Sequence, residues 1–260
     1  MMRGLHTPVR AIRRRVFKEV AQLGFKADED TLLADMEAIP YAIVNEDSEK
    51  YRESVYRARA IVRERLRLAM GLSLRPENKP VHLTAGVEAS NISEKYYEPP
   101  LMQVIPSACE SCEENKYEVS NICKGCLAHP CQEVCPKDAI SMVNGRSYID
   151  QEKCIKCGKC KSVCPYDAIA KKERPCQKAC GVNAIKSDKM GRAYIDNEKC
   201  VSCGMCMVSC PFGAISDKSQ IFQLARALSE GENVIAEIAP AFVGQFGDNI
   251  TPRNIKSRSS

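Results

Sequence analysis

The sequence predicts an α+β fold, with an α-helical N-terminal region followed by tandem modules of small hairpins and short helices. Two observations carry this. Apolar residues recur at helical spacing through the first third of the chain, and all sixteen cysteines of the 260 residues lie between Cys109 and Cys210 in an arrangement that repeats itself. On this reading residues 1–75 are the helical region, 76–108 an extended connector and 109–216 the cysteine-rich modules (about 121–170 and 174–216). Residues 217–260 are a helix and the opening of a further domain.

The first helix spans 7–24: Thr7 suits the cap, Pro8 the first helical position and Gly24 a left-handed stop. Val9, Ile12, Val16, Val20 and Leu23 fall on one face. The run Arg13-Arg14-Arg15 reads as a solvated face rather than a nucleic-acid contact. A second, short helix starts near Asp28 and ends before Pro40, because the residue preceding proline disfavours helix. A third covers roughly Ser48 to Met70, with Tyr51, Val55, Ala58, Val62, Leu66 and Ala69 as its apolar stripe. Arg52, Arg59, Arg63 and Arg67 line another side, read as solvent-facing, with docking to an acidic partner as the alternative. Pro76, Pro80, Pro99, Pro100 and Pro106 make the stretch that follows an extended connector.

The cysteines come next. Cys154-x2-Cys157-x2-Cys160-x3-Cys164-Pro165 and Cys200-x2-Cys203-x2-Cys206-x3-Cys210-Pro211 both match the bacterial ferredoxin signature, in which the fourth cysteine ligates the other cluster of a pair. Gly145-Arg146-Ser147-Tyr148-Ile149-Asp150 precedes the first run, and Gly191-Arg192-Ala193-Tyr194-Ile195-Asp196 precedes the second 46 positions later. Upstream, Pro130-Cys131-Gln132-Glu133-Val134-Cys135 is echoed 45 positions later by Pro175-Cys176-Gln177-Lys178-Ala179-Cys180. Asn144-Gly145 is a strong hairpin turn, and Met190-Gly191 serves in the second copy. Each unit therefore reads as half-motif, hairpin, full motif, the layout of a two-cluster ferredoxin-like module.

The first unit is complete, since Cys123-x2-Cys126-x4-Cys131-x3-Cys135-Pro136 supplies its first motif, with a loop two residues wider than the compact spacing. By the exchange rule Cys123, Cys126, Cys131 and Cys164 hold one 4Fe–4S cluster, and Cys154, Cys157, Cys160 and Cys135 the next. In the second unit Cys200, Cys203, Cys206 and Cys180 form a full set, leaving Cys176 and Cys210 two ligands short. Cys109-x2-Cys112 is the pair left over, so the sixteen ligands divide into four clusters, with at least two required by the regular runs alone. The Cys109/Cys112 and Cys123/Cys126 pairs remain interchangeable by spacing, and together they would also suit a four-cysteine zinc knuckle.

Soft thiolates match an iron–sulfide core. Pro136, Pro165 and Pro211 stop the helix after the last cysteine. Gly158 and Gly204 let backbone pass close to a cluster, and Gly181, standing where the other motifs have proline, predicts a looser turn. His129 reads as a surface side chain rather than an iron ligand, and Met205 and Met207 as packing. Eight disulfides would need an oxidising compartment, and Met1 to Arg15, charged but with no apolar stretch behind it, does not read as an export signal. The formal charge of +5 is no argument for nucleic acid, because four clusters with thiolate ligands would bring it to about −3. Nor does any apolar run reach membrane-spanning length, so a cytoplasmic protein is expected.

In the tail, Lys218 to Glu230 reads as a helix ended by Gly231, Val234 to Phe242 as a buried-type strand and Thr251-Pro252 as a further helix start. The tail Ile238-Ala239-Pro240-Ala241-Phe242-Val243-Gly244-Gln245-Phe246-Gly247 completes a set of three features. With the arginine-rich helix Tyr51–Leu74 and the pairs Cys109/Cys112 and Cys123/Cys126, it resembles the N-terminal part of monomeric iron-only (di-iron) hydrogenases that carry a ferredoxin-like region. In that family the clusters relay electrons to an H-cluster held by four cysteines of the following domain. No cysteine follows Cys210, so the resemblance implies the electron-relay portion alone, an electron carrier rather than an enzyme, in an anaerobic setting. It implies a redox partner, either a ferredoxin-like donor or acceptor or a catalytic hydrogenase domain on another chain. The cysteine motifs also resemble the four-cluster electron-transfer subunits of molybdopterin oxidoreductases. A protein whose clusters only support folding is the third reading.

Overall fold

The computed structural model describes residues 6–26, 29–45, 52–90 and 99–237. Three helices open the chain: α1 (Pro8–Lys26), α2 (Glu29–Ile43) and α3 (Val55–Ala69). A one-turn helix α4 (Val87–Ser90), strand β1 (Met102–Val104) and a 3-10 turn at Pro106–Ala108 follow. Then come β2 (Lys116–Val119), α5 (Pro130–Glu133), β3 (Ile140–Val143), β4 (Arg146–Ile149), α6 (Lys159–Val163) and β5 (Ile169–Lys172). The last elements are α7 (Pro175–Lys178), β6 (Ile185–Ser187), β7 (Ala193–Ile195), α8 (Met205–Ser209), β8 (Ile215–Asp217) and α9 (Ile221–Ser229). The fold is α+β, as the periodicities predict.

The helices make their own core. Val16, Val20 and Leu23 of α1 pack with Met36, Ile39 and Ile43 of α2, Ala58, Val62 and Leu66 of α3, and Phe222 of α9. Val20, Met36, Val62, Leu66 and Phe222 are fully buried, each contributing about 1.5–3 kcal/mol relative to exposure. Thr7 caps α1 as expected, its Oγ1 accepting from Arg10 N at 3.2 Å. Ser54 caps α3, with extended backbone and Oγ accepting from Arg57 N.

Two helix ends differ from expectation. Gly24 does not stop α1; it lies inside it, buried, where a Cβ would stand 2.7 Å from Ala225 Cβ and 2.8 Å from the Phe222 carbonyl oxygen. Its missing side chain is what lets α9 cross α1 so closely. Helix α2 runs through Pro40 to Ile43. Loss of one amide donor there is outweighed by burial of Ile39, Ile43 and Val44 on the continuing apolar face.

The stretch 76–108, expected to be extended, contains α4 and β1. Residues 234–237 take no strand, and Val234 and Ile235 are exposed. The rest of the expected tail strand, the residues 238–247 that carry the hydrogenase resemblance, and the Thr251 helix start lie outside the described residues.

Four antiparallel two-stranded sheets shape the cysteine region: β1–β8, β2–β5, β3–β4 and β6–β7. Their pairing nests. Strands β2 to β5 form a closed set within 116–172, whereas β8 pairs back across that whole set to β1, Val104 opposite Ile215. At the β3–β4 hairpin Asn144 and Gly145 both take positive φ, 51° and 73°, the type I′ geometry their sequence predicts.

Most arginines of α3 and its approach turn inward rather than to solvent; Arg63 keeps a partly exposed place, donating to Tyr41 Oη at 3.2 Å. Arg52 donates to the carbonyls of Ala108 (3.2 Å) and Phe212 (2.7 Å), and Arg57 to that of Ser107 (2.8 Å). Arg65 donates to Gly213 O, Arg59 to Val44 O, and Arg67 to Leu83 O and Ala85 O. Between them, Ile61 and Leu68 of α3 bury against Ile105, Ala108, Cys210 and Ala214. The helical region is thereby bolted to the backbone just before Cys109 and just after Cys210.

Replacing Gly24 by Ala should lower stability by about 1–3 kcal/mol, because the α1–α9 crossing must open to admit the methyl group. A lowered thermal midpoint in the helical circular dichroism checks it; an unchanged midpoint would mean the crossing relaxes freely.

Candidate metal centres

The local turn that presents each cysteine pair is the same in four places. The residue before the second cysteine has positive φ: Ser111 (47°), Gly125 (57°), Lys156 (58°) and Ser202 (55°). Cys109-x2-Cys112 thus shares its backbone shape with the pairs in the regular motifs. After the first and second pairs of the regular runs, Gly158 and Gly204 (φ 78° and 73°) open the short helices α6 and α8, which carry Cys160 and Cys206.

A second turn closes each motif. Four residues after the last cysteine an alanine amide donates to its sulfur: Ala139 to Cys135 (3.3 Å), Ala168 to Cys164 (3.4 Å), Ala184 to Cys180 (3.2 Å) and Ala214 to Cys210 (3.4 Å). The residue before each alanine, Asp138, Asp167, Asn183 or Gly213, has φ between 45° and 60°, a conformation these residue types tolerate best. The Gly181 turn is not looser, since its amide-to-sulfur contact is the shortest of the four. The pattern Cys-x3-Ala-Ile at 135, 164, 180 and 210 is the sequence signal for this turn, and proline after the cysteine is incidental to it.

Three small cavities are lined by cysteine quartets. Cys123, Cys126, Cys131 and Cys164 line one, and Cys135, Cys154, Cys157 and Cys160 a second. Cys109, Cys112, Cys176 and Cys210 line the third. The remaining cysteines, Cys180, Cys200 and Cys203, lie within electrostatic reach of Cys206, and Cys180, Cys200 and Cys206 share one apolar cluster with Met207. The structure therefore places Cys109/Cys112 and Cys123/Cys126 in different cavities, so the four do not meet as a zinc knuckle. His129 lines none of these three cavities.

All sixteen thiols are free of disulfides. Among the described residues no three His, Cys, Asp or Glu side chains converge closely enough for a single metal ion; each lined quartet surrounds a space rather than a point. Burial raises the thiol pKa of Cys176 to about 12 and that of Cys206 to about 11, and also raises those of Cys112 and Cys160. Such thiols ionise only beside a strong compensating cation, and soft thiolates are the donors iron–sulfur cores take. Donor set and burial both fit 4Fe–4S clusters.

One further residue escaped the sequence reading. Arg174, 2% exposed, donates to Cys112 O (2.9 and 3.1 Å), Gly191 O (2.7 Å) and Lys186 O (3.4 Å), and pairs with Glu114 at 3.3 Å. It ties the strand leaving Cys112 to the helix start before Cys176, across an interval of 62 residues. Nothing in its local sequence marks it; only the nested topology brings these segments together.

Known proteins agree with this chemistry. Residues 123–174 match the LdpA Fe–S cluster-binding domain, and 193–216 the 4Fe–4S binding domain. An uncharacterised ferredoxin of Methanocaldococcus jannaschii is 33% identical over 31% of this chain and 63% of its own length. The electron transport protein HydN of Escherichia coli is 37% identical over 27% of this chain and 41% of its own. A 7Fe ferredoxin of Hydrogenibacillus schlegelii is 43% identical over 20% of this chain and 68% of its own. Fold and site define an iron–sulfur protein that binds 4Fe–4S clusters, at least two of them. The chain belongs to the ferredoxins, on the strength of the two-thirds of the 7Fe ferredoxin that it matches. It spans only 63% and 37% of the first two M. jannaschii ferredoxins it resembles. Among the described residues no helix is long and apolar enough to cross a membrane.

Removing iron with a chelator under reducing conditions should separate the two halves of the fold. The apolar clusters of 102–217 are themselves built with cysteines, whereas the helical core contains none. Helical circular dichroism should largely survive while protease sensitivity appears within 102–217; simultaneous loss of both would mean one cooperative unit. Arg174→Met should leave three carbonyls short of a donor and lower iron content by about four atoms per chain, one 4Fe–4S cluster. Full loading of the variant would show that Arg174 is dispensable.

Proposed function

We propose that this chain is an electron-transfer protein with four 4Fe–4S sites, organised as two ferredoxin-type modules of which one is inserted into a loop of the other. The inner module is 116–172 and the outer module is 102–112 joined to 174–217. The observation that carries this is the Cys109, Cys112, Cys176 and Cys210 cavity, which takes two donors from each side of the insertion. The similarity of the four paired-cysteine turns supports giving it the same occupant as the regular motifs.

When bound, each cluster supplies one-electron redox chemistry at potentials within about −700 to +450 mV. The chain's own residues do the rest. Cysteines at four sequence distances hold each core, and the alanine amides at 139, 168, 184 and 214 donate to ligand sulfurs. Buried Ile140, Ile149, Ile169, Ile185, Ile195 and Ile215 keep water away. Donation to sulfur and exclusion of water are the two means by which a protein sets a cluster's potential. The relay toward a hydrogenase active site leans on residues 238–247, outside the described part of the chain, while the relatives named above are ferredoxins and an electron-transport protein.

Iron and acid-labile sulfide after anaerobic purification test the reading: about sixteen of each per chain are expected. Cys112→Ala should bring both to about twelve, with the other three sites still reducible. A Cys112→Ala protein that keeps about sixteen irons would overturn the four-site assignment.

A further inference from the structure

The two regular cysteine runs offer an internal comparison, because the same backbone carries different side chains. In both, the first-to-second cysteine loop has one residue at positive φ, a glycine then opens a five-residue helix, and the second cysteine, Cys157 or Cys203, is exposed. Lys153 and Lys199 correspond, each lying 3.9 Å from the aspartate three residues earlier. The copies diverge at three positions around the exposed cysteine. Lys156, Lys159 and Lys161 in the first run stand where the second has Ser202, Met205 and Met207. The three lysines are exposed, as are Ile155 and Lys137 beside them, whereas Met205 and Met207 are half-buried and Met207 packs into the apolar cluster around Cys206.

These lysines have no ion pair among the described residues, unlike Lys116, Lys171, Lys172, Lys178 and Lys186, which are matched to Glu or Asp. From 153 to 161 there are four lysines and no acid; Glu152 and Asp138 are the acidic neighbours, one on each flanking segment. Compensating the charge of a cluster does not require them, because the second run offers the same four-thiol donor set with one lysine in the corresponding stretch.

We propose that the face around Cys157, formed by Lys137, Lys156, Lys159 and Lys161 with Ile155 at its centre, is the docking surface for a small soluble redox protein whose own centre lies within an acidic rim. The inference rests on the electron-transfer reading above. A basic rim around an exposed ligand raises the local concentration of such a partner and steers its encounter, while leaving the contact at Ile155 apolar. It places electron entry or exit at the inner module, at the site held by Cys135, Cys154, Cys157 and Cys160. The second run, where Cys203 is also exposed but methionines and a serine stand at the equivalent places, lacks that steering charge and is left for internal transfer.

The test exchanges one run's surface for the other's. The whole chain, fully loaded, is given Lys156→Ser, Lys159→Met and Lys161→Met, residues the second copy already tolerates. Electron exchange with a small acidic ferredoxin is followed by stopped flow at several salt concentrations. The rate constant should fall by about 10-fold or more at low salt, and its dependence on ionic strength should flatten. A basic c-type cytochrome should react no more slowly than before. If the triple variant loads less iron, Lys156→Gln with Lys161→Gln, neither of which lines the cavity, reads the same difference. Unchanged rates and salt dependence in a fully loaded variant would overturn the docking surface alone. A wild-type protein that dithionite cannot reduce would overturn the electron-transfer reading and the docking surface with it.

Discussion

The cysteine region depends on the turn in which an alanine amide donates to the sulfur of the cysteine four residues before it. That contact joins a ligand to a strand, because β3, β5, β6 and β8 each begin at the isoleucine immediately after the alanine. Sheet register and sulfur position are therefore set together. If Ile140 pairs with Ile149, or Ile215 with Val104, the neighbouring sulfur is already aimed at its cavity. The two-stranded sheets are too small to persist alone in water, and they draw their stability from the buried isoleucines and from the sulfur sites they help to build.

A second layer of constraint comes from arginine. Arg52 and Arg65 reach carbonyls just after Cys210, Arg52 and Arg57 those just before Cys109, and Arg174 the carbonyl of Cys112. A planar guanidinium with several fixed donors suits this better than lysine, since one side chain can hold two or three carbonyls at once. The residues that the sequence presents as a charged helix surface thus act as internal fasteners. Their targets are backbone oxygens, which carry no signature a sequence can display.

What was legible in the chain followed this division. Motifs with a fixed local geometry could be read directly: Thr7 as a cap, Asn144-Gly145 as a hairpin, the cysteine runs as cluster turns. Counting donors also grouped Cys109/Cys112 with Cys176 and Cys210, and the four line one cavity. Features that depend on distant partners were misread. Gly24 looks like a stop because glycine usually ends helices, yet it is there to admit Ala225. Pro40 looks like a terminator, and burial of Ile43 and Val44 carries the helix past it. In the cysteine region the hidden fact is the nesting of β2–β5 between β1 and β8, since a three-residue strand such as Met102–Val104 leaves almost no periodic trace.

Nesting also imposes a schedule on biosynthesis. The ribosome delivers Cys109 and Cys112 first, yet Cys210, the last member of their quartet, emerges 101 residues later, on the order of 5–20 s at ordinary elongation rates. By then every donor of the inner module, up to Cys164, has already left the tunnel. The inner module can mature while the outer pair waits with open thiols. Under the four-site assignment proposed above, chain order makes the outer quartet the last to close, and the step at which nascent protein is most exposed to oxidation and to the wrong metal.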